Sequence, residues 1–130
     1  MIVVDASVIV ELLLPTRAGL QLAERLFAEG ESLHAPHLLD LEVAQVIRRY
    51  HRGREITADR GALILQDLID LPLTRYPHDL LLARIWALRD NLTAYDAAYV
   101  ALAEALQAPL LTRDRRLAAT RGHKARMEVV

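Results

Sequence analysis

Met1-Ile2-Val3-Val4-Asp5-Ala6-Ser7 opens the chain with a short apolar run rich in β-formers, a carboxylate directly behind it, and then a helix-compatible stretch to Leu14. An apolar run this short reads as a buried strand feeding a helix. The same unit recurs further along. Leu33 to Pro36 reads as a weaker second strand, Pro72 to Tyr76 as a possible third, Pro109 to Thr112 as a fourth and Met127 to Val130 as a last one. Between them lie helical patterns over Ala18 to Ala28, Leu38 to Tyr50, Thr57 to Leu71, Asp79 to Arg89 and Tyr95 to Leu106, with a turn or short helix from Arg113 to Ala119. Gly30 and Gly53 punctuate the first two, and basic residues close the second where a helix dipole favours them. The helix from Tyr95 is apolar on nearly every side, which predicts a position buried between other elements. Short apolar strands alternating with helices predict an α/β domain with a mainly parallel sheet flanked by helices in three layers.

Composition narrows the function classes. The 130 residues are expected to form one domain, with no repeat, low-complexity tract or linker dividing them. Apolar residues make up 53% of the chain, but charges interrupt them well before the roughly 18 needed to span a bilayer. No membrane span is predicted, and no basic segment precedes an apolar run at the N-terminus, so a cytoplasmic location is expected. The absence of cysteine removes disulfides, thiolate nucleophiles and cysteine-based zinc sites. With 16 basic and 17 acidic residues the net charge is -1, so any contact with nucleic acid must be local. From Thr112 onward Arg113, Arg115, Arg116, Arg121, Lys124 and Arg126 face only Asp114 and Glu128, making that end a candidate electropositive patch.

Four acidic residues stand out by placement. In open parallel sheets ligands gather at the carboxyl ends of strands. Asp5 follows Val3-Val4 there, and Asp114 lies two residues beyond Thr112. Each is equally suited to cap a helix or turn. Glu42 borders the apolar stripe Leu39, Val43, Val46, Ile47 and Tyr50, so it points partly inward or else reaches out to Arg49. Asp96 opens the apolar helix, where Thr93 and Asp96 form a threonine-x-x-acid capping pattern compatible with a catalytic role. Carboxylates held together raise one another's pKa unless a cation neutralises them. Mg²⁺ and Mn²⁺ favour oxygen ligands and retain waters, which suits phosphodiester hydrolysis. His34 and His37 do not make a metal pair, because Pro36 breaks the spacing and no third ligand is evident.

The segments Ile2-Val3-Val4-Asp5-Ala6-Ser7, Leu41-Glu42-Val43, Thr93-Ala94-Tyr95-Asp96-Ala97-Ala98-Tyr99-Val100-Ala101-Leu102-Ala103 and Pro109-Leu110-Leu111-Thr112-Arg113-Asp114 resemble, in order, the motifs of the PIN-domain family, most closely its VapC-type toxin ribonucleases. The resemblance covers nearly the whole chain and implies a single PIN-like domain over residues 1–130. It implies that Asp5, Glu42, Asp96 and Asp114 bind one or two Mg²⁺ or Mn²⁺ ions and activate water to cut single-stranded or looped RNA. Ser7 and Thr112 match accessory positions, where each would hold a carboxylate or a metal-bound water. Arg113, Arg115 and Arg116 are candidates for RNA phosphate contact or, equally, a solvated charge run. A homodimer and a cognate VapB-type antitoxin are implied as partners.

Three other readings remain to be separated. A housekeeping PIN-domain RNA-processing nuclease would use the same acids. A non-catalytic RNA- or partner-binding PIN-like domain would bind RNA without them. A phosphatase using Asp5 as nucleophile is disfavoured, since haloacid dehalogenase-like phosphatases carry a second aspartate two residues later and Ser7 stands there.

Overall fold

The computed structural model describes Met1–Val130. The chain runs β1 (Ile2–Val4), α1 (Ala6–Leu13), α2 (Arg17–Leu26), β2 (Leu33–Pro36), α3 (Leu38–Arg52), α4 (Ala58–Asp70), β3 (Leu73–Tyr76), α5 (Leu82–Ala87), α6 (Ala94–Leu106), β4 (Leu110–Thr112), α7 (Arg115–Ala118) and β5 (Met127–Val129). The five strands form one sheet in the order β3-β2-β1-β4-β5, and every pairing is parallel. The expected mainly parallel sheet is therefore parallel throughout.

This order decides where a site can form. From the central β1 the chain steps outward through β2 to β3, then crosses back to β4 and outward again to β5. Right-handed crossovers place α1 to α4 on one face of such a sheet and α5 to α7 on the other. The helix contacts agree, since α1 packs on α2, α3 and α4, and α5 on α6. The direction of winding reverses between β1 and β4, so a crevice opens beyond their carboxyl ends. Val3 lies opposite Leu110 and Val4 opposite Leu111, which brings Asp5 and the residues after Thr112 to that crevice together.

The core is one cluster of 27 buried residues, including all of β1 and the two leucines of β4. Burial of this kind is worth roughly 1.5–3 kcal/mol per large aliphatic side chain. Helix α6 buries seven consecutive residues from Ala97 to Ala103, as its all-round apolar character predicts, and its alanines allow close approach to β1 and β2. At Gly19 an added Cβ would lie 2.6 Å from the Glu11 carbonyl oxygen, so glycine lets α2 turn tightly against the end of α1. The continuous helix expected from Asp79 to Arg89 is instead a 3-10 turn over Asp79–Leu81 followed by the short α5. The tighter turn closes with Leu81 N–H on the His78 carbonyl at 2.8 Å and seats Leu81 in the core. No single helix is long and apolar enough to cross a membrane.

Away from the crevice, Glu104 on α6 accepts from Arg84 Nε at 2.8 Å and Nη2 at 2.9 Å, and from the Lys124 amide at 2.9 Å. These donors, the Arg84 guanidinium foremost, hold its carboxyl below the usual range. A depressed folded-state pKa contributes stability above the unfolded value, and that contribution is lost as pH falls through the folded one. Because Arg84 is partly exposed, the pair is worth about 0.5–1 kcal/mol. Glu104→Gln is expected to lower the melting temperature by roughly 3 °C at neutral pH. The gap from the parent protein should close as the pH is lowered past the carboxylate range, which thermal melts at a series of pH values will check.

Candidate active site

Asp5 stands at the end of β1 with extended backbone and caps α1. Its Oδ1 accepts from Ser7 Oγ at 2.6 Å and from the Val8 amide at 3.2 Å, while its Oδ2 accepts from Thr112 Oγ1. Both hydroxyls also accept. Thr112 Oγ1 takes the Asp114 amide at 2.9 Å, and Ser7 Oγ takes the Arg113 amide at 3.0 Å. Two hydroxyls therefore stitch the end of β1 to the loop after β4 and fix the orientation of Asp5. Burial pushes the Asp5 carboxyl up, and the hydrogen bonds from Ser7, Thr112 and Val8 oppose that rise.

Asp114 caps α7, its Oδ1 accepting from the Arg116 amide at 2.9 Å and the Leu117 amide at 3.3 Å. The capping alternative for Asp5 and Asp114 is thus realised in both, and it coincides with their position at the crevice. At Asp96 only half of the capping pattern forms. Thr93 Oγ1 accepts the Asp96 amide at 3.2 Å, but the reciprocal bond of a capping box is missing, so the Asp96 carboxylate is not used as a cap. It is raised first by burial and then by repulsion from Asp114 and Asp5, with Arg116 opposing.

Glu42 turns inward. It makes no pair with Arg49, the alternative open from sequence, and its Oε1 accepts from Tyr99 Oη at 2.5 Å. Burial is again the largest cause raising its carboxyl, the Tyr99 bond opposes it, and Asp96 and Asp5 add repulsion. The Tyr99 phenol is itself pushed far above its ordinary range by burial and by Glu42, so it stays a protonated donor. No sequence motif marks the link between Glu42 and Tyr99. Its only trace in the sequence is that Tyr99 follows Asp96 by three residues and so shares its face of α6.

The four carboxylates thus sense one another across one crevice, in the pairs Glu42 with Asp96 and Asp5, and Asp96 with Asp114 and Asp5. No three of them close into a direct ligand set in this conformation. The donor chemistry fits a hard divalent ion that keeps part of its water shell, since every group offered is oxygen and mutual repulsion favours a cation. Arg116 faces Asp96 electrostatically. Arg113 turns its guanidinium to the Val130 carbonyl at 3.3 Å, and Arg115 is exposed. The ring nitrogens of His34 are engaged by Ser32 and Tyr76.

A wholly parallel α/β sheet with four carboxylates about its switch point defines an acidic class of site. Residues 2–122 match the family described as PIN domain. The chain is 44% identical over 130 residues to Ribonuclease VapC12 of Mycobacterium tuberculosis, covering 100% of this chain and 99% of that one. In fold it is similar to a crystal structure of a Pyrobaculum aerophilum protein, with TM-score 0.71 and 24% identity over 99% of this chain and 83% of that one. It is also similar to a toxin-antitoxin complex from Klebsiella pneumoniae, with TM-score 0.64 and 20% identity over 92% of this chain and 91% of that one. The chain belongs to the PIN-domain family and, within it, to the VapC ribonucleases.

Proposed function

We propose that this protein is a divalent-ion-dependent endoribonuclease, that Asp5, Glu42, Asp96 and Asp114 are its catalytic and metal-binding residues, and that it acts as one domain on single-stranded or looped RNA. The observation that supports the reading is geometric: Asp5 and Asp114 stand together beyond the carboxyl ends of β1 and β4, tied by Thr112, with Asp96 on α6 and the Tyr99-held Glu42 on α3 beside them. When bound, Mg²⁺ or Mn²⁺ would neutralise the cluster, polarise a phosphodiester and lower the pKa of a coordinated water.

The chain's own groups have separable tasks. Ser7 and Thr112 hold Asp5 in a single orientation, and Thr112 holds the Asp114 amide with the same oxygen. Tyr99 holds Glu42. Asp96 presents a carboxylate free of cap bonds, suited to orient a water for attack on phosphorus. Hydrolysis then forms one bond from water oxygen to phosphorus and breaks one from phosphorus to the leaving oxygen, which takes up the proton. Arg116, with Arg113 and Arg115 nearby, supplies positive charge for the RNA backbone.

The 44% identity to Ribonuclease VapC12 along the full chain supports the ribonuclease reading, on which we further propose a toxin role, a VapB-type antitoxin as partner and the cytoplasm as site of action. The exposed Leu82 and Trp86, one turn apart on α5, offer an apolar surface that suits a second copy in a homodimer.

The test is cleavage of an end-labelled single-stranded RNA. Cutting is expected with Mg²⁺ or Mn²⁺, none in excess chelator, and recovery when Mn²⁺ is restored. Undiminished cutting in chelator would overturn the metal dependence. Induced expression is expected to arrest growth, and co-expression of an adjacent VapB-type reading frame to relieve it. Growth without arrest would favour a housekeeping nuclease.

A further inference from the structure

We propose that the groove between α3 and the first turn of α6 is a nucleobase subsite, in which one base of single-stranded RNA stacks on Tyr95 while Arg49 takes a neighbouring phosphate. The inference rests on the ribonuclease reading and specifies where its substrate lies.

The groove has a volume of about 350 Å³ and is lined by Ala6, Leu41, Glu42, Val46, Arg49 and Tyr95, among others. It borders the acidic crevice at Glu42. Glu42 belongs to both, Ala6 directly follows Asp5, and Tyr95 directly precedes Asp96.

The two tyrosines of α6 are used in opposite ways. Tyr99 is buried and holds Glu42, whereas Tyr95 is 66% exposed beside Leu41, which is 76% exposed. An exposed aromatic ring beside aliphatic walls is a stacking platform, because every base presents a π-face. Arg49 is exposed and enters none of the chain's salt bridges, so its guanidinium is available for a phosphate. An apolar peptide could use the leucine and valine walls alone. The border with the carboxylates at Glu42, together with a free cation at the other wall, favours a nucleotide.

The experiment uses the full chain and a short single-stranded RNA that the wild type cuts, with KM and kcat measured separately. Tyr95→Ala and Tyr95→Leu are expected to raise KM roughly tenfold or more, with a smaller change in kcat, while Tyr95→Phe stays near wild type. Removing one base from the RNA, position by position, should reproduce the loss in wild type at a single position and add nothing further in Tyr95→Ala. Arg49→Gln should raise KM and reduce the salt dependence by about one phosphate contact. Because Tyr95 is exposed, melting temperatures should not move. Unchanged KM in Tyr95→Ala, with the wild type still cutting, overturns the subsite and leaves the ribonuclease reading intact. Unchanged RNA kinetics with weakened self-association or VapB-type binding also overturns it and assigns the groove to a protein partner. A wild type that cuts no RNA under any divalent ion overturns both.

Discussion

Asp96→Asn is expected to reduce RNA cleavage by at least ~10²-fold while raising the melting temperature of the ion-free protein by a few degrees. The two changes have one cause. Asp96 is half-buried, its carboxylate does no capping, and Asp114 and Asp5 repel it. A neutral amide of the same size removes that repulsion and the negative charge that a divalent ion needs. A residue serving only to hold the fold would lose stability and activity together. Opposite signs in thermal melts and in a cleavage assay therefore distinguish the roles. A variant that cuts at the wild-type rate would remove Asp96 from the mechanism.

Thr112→Val is expected to act in the other direction, lowering stability and activity together. Thr112 is fully buried, donates to Asp5 Oδ2 and accepts the Asp114 amide. Valine preserves its shape and strand preference but leaves both partners unsatisfied. A buried polar group without its partner costs about 1–3 kcal/mol, which corresponds to a fall of roughly 5–10 °C in a domain of this size. Loosening the Asp5 carboxylate and the backbone that carries Asp114 should reduce cleavage about 10–100-fold. Thr112→Ser restores the hydroxyl and should recover most of both. Equal melting and cleavage in wild type and Thr112→Val would refute the bridging role.

Much of this architecture could be read from local pattern. All five strands fall within segments that read as strands, and β1 and β4 are the clearest because they are short apolar runs without a charge. β2 and β3 are fainter, since His34 and Arg75 interrupt them and β3 lies at the sheet edge. Strand order was not legible, because it is set by which helices pack on which face rather than by any local residue. The placement of Asp5 and Asp114 followed from the strand-end rule alone. Glu42 needed its partner: Tyr99 lies 57 positions away in sequence, on a helix of the opposite sheet face, and one side-chain hydrogen bond joins the two. The Thr93-x-x-Asp96 pattern misled in part, because the amide bond forms and the return bond does not.

The central claim is that the crevice carboxylates jointly hold a divalent cation. Mn²⁺ binding followed by electron paramagnetic resonance tests it without RNA, comparing the wild type with Asp5→Asn/Asp96→Asn. Saturable binding in the wild type, lost in the folded double variant, is the predicted result; equal Mn²⁺ binding by both proteins would contradict it.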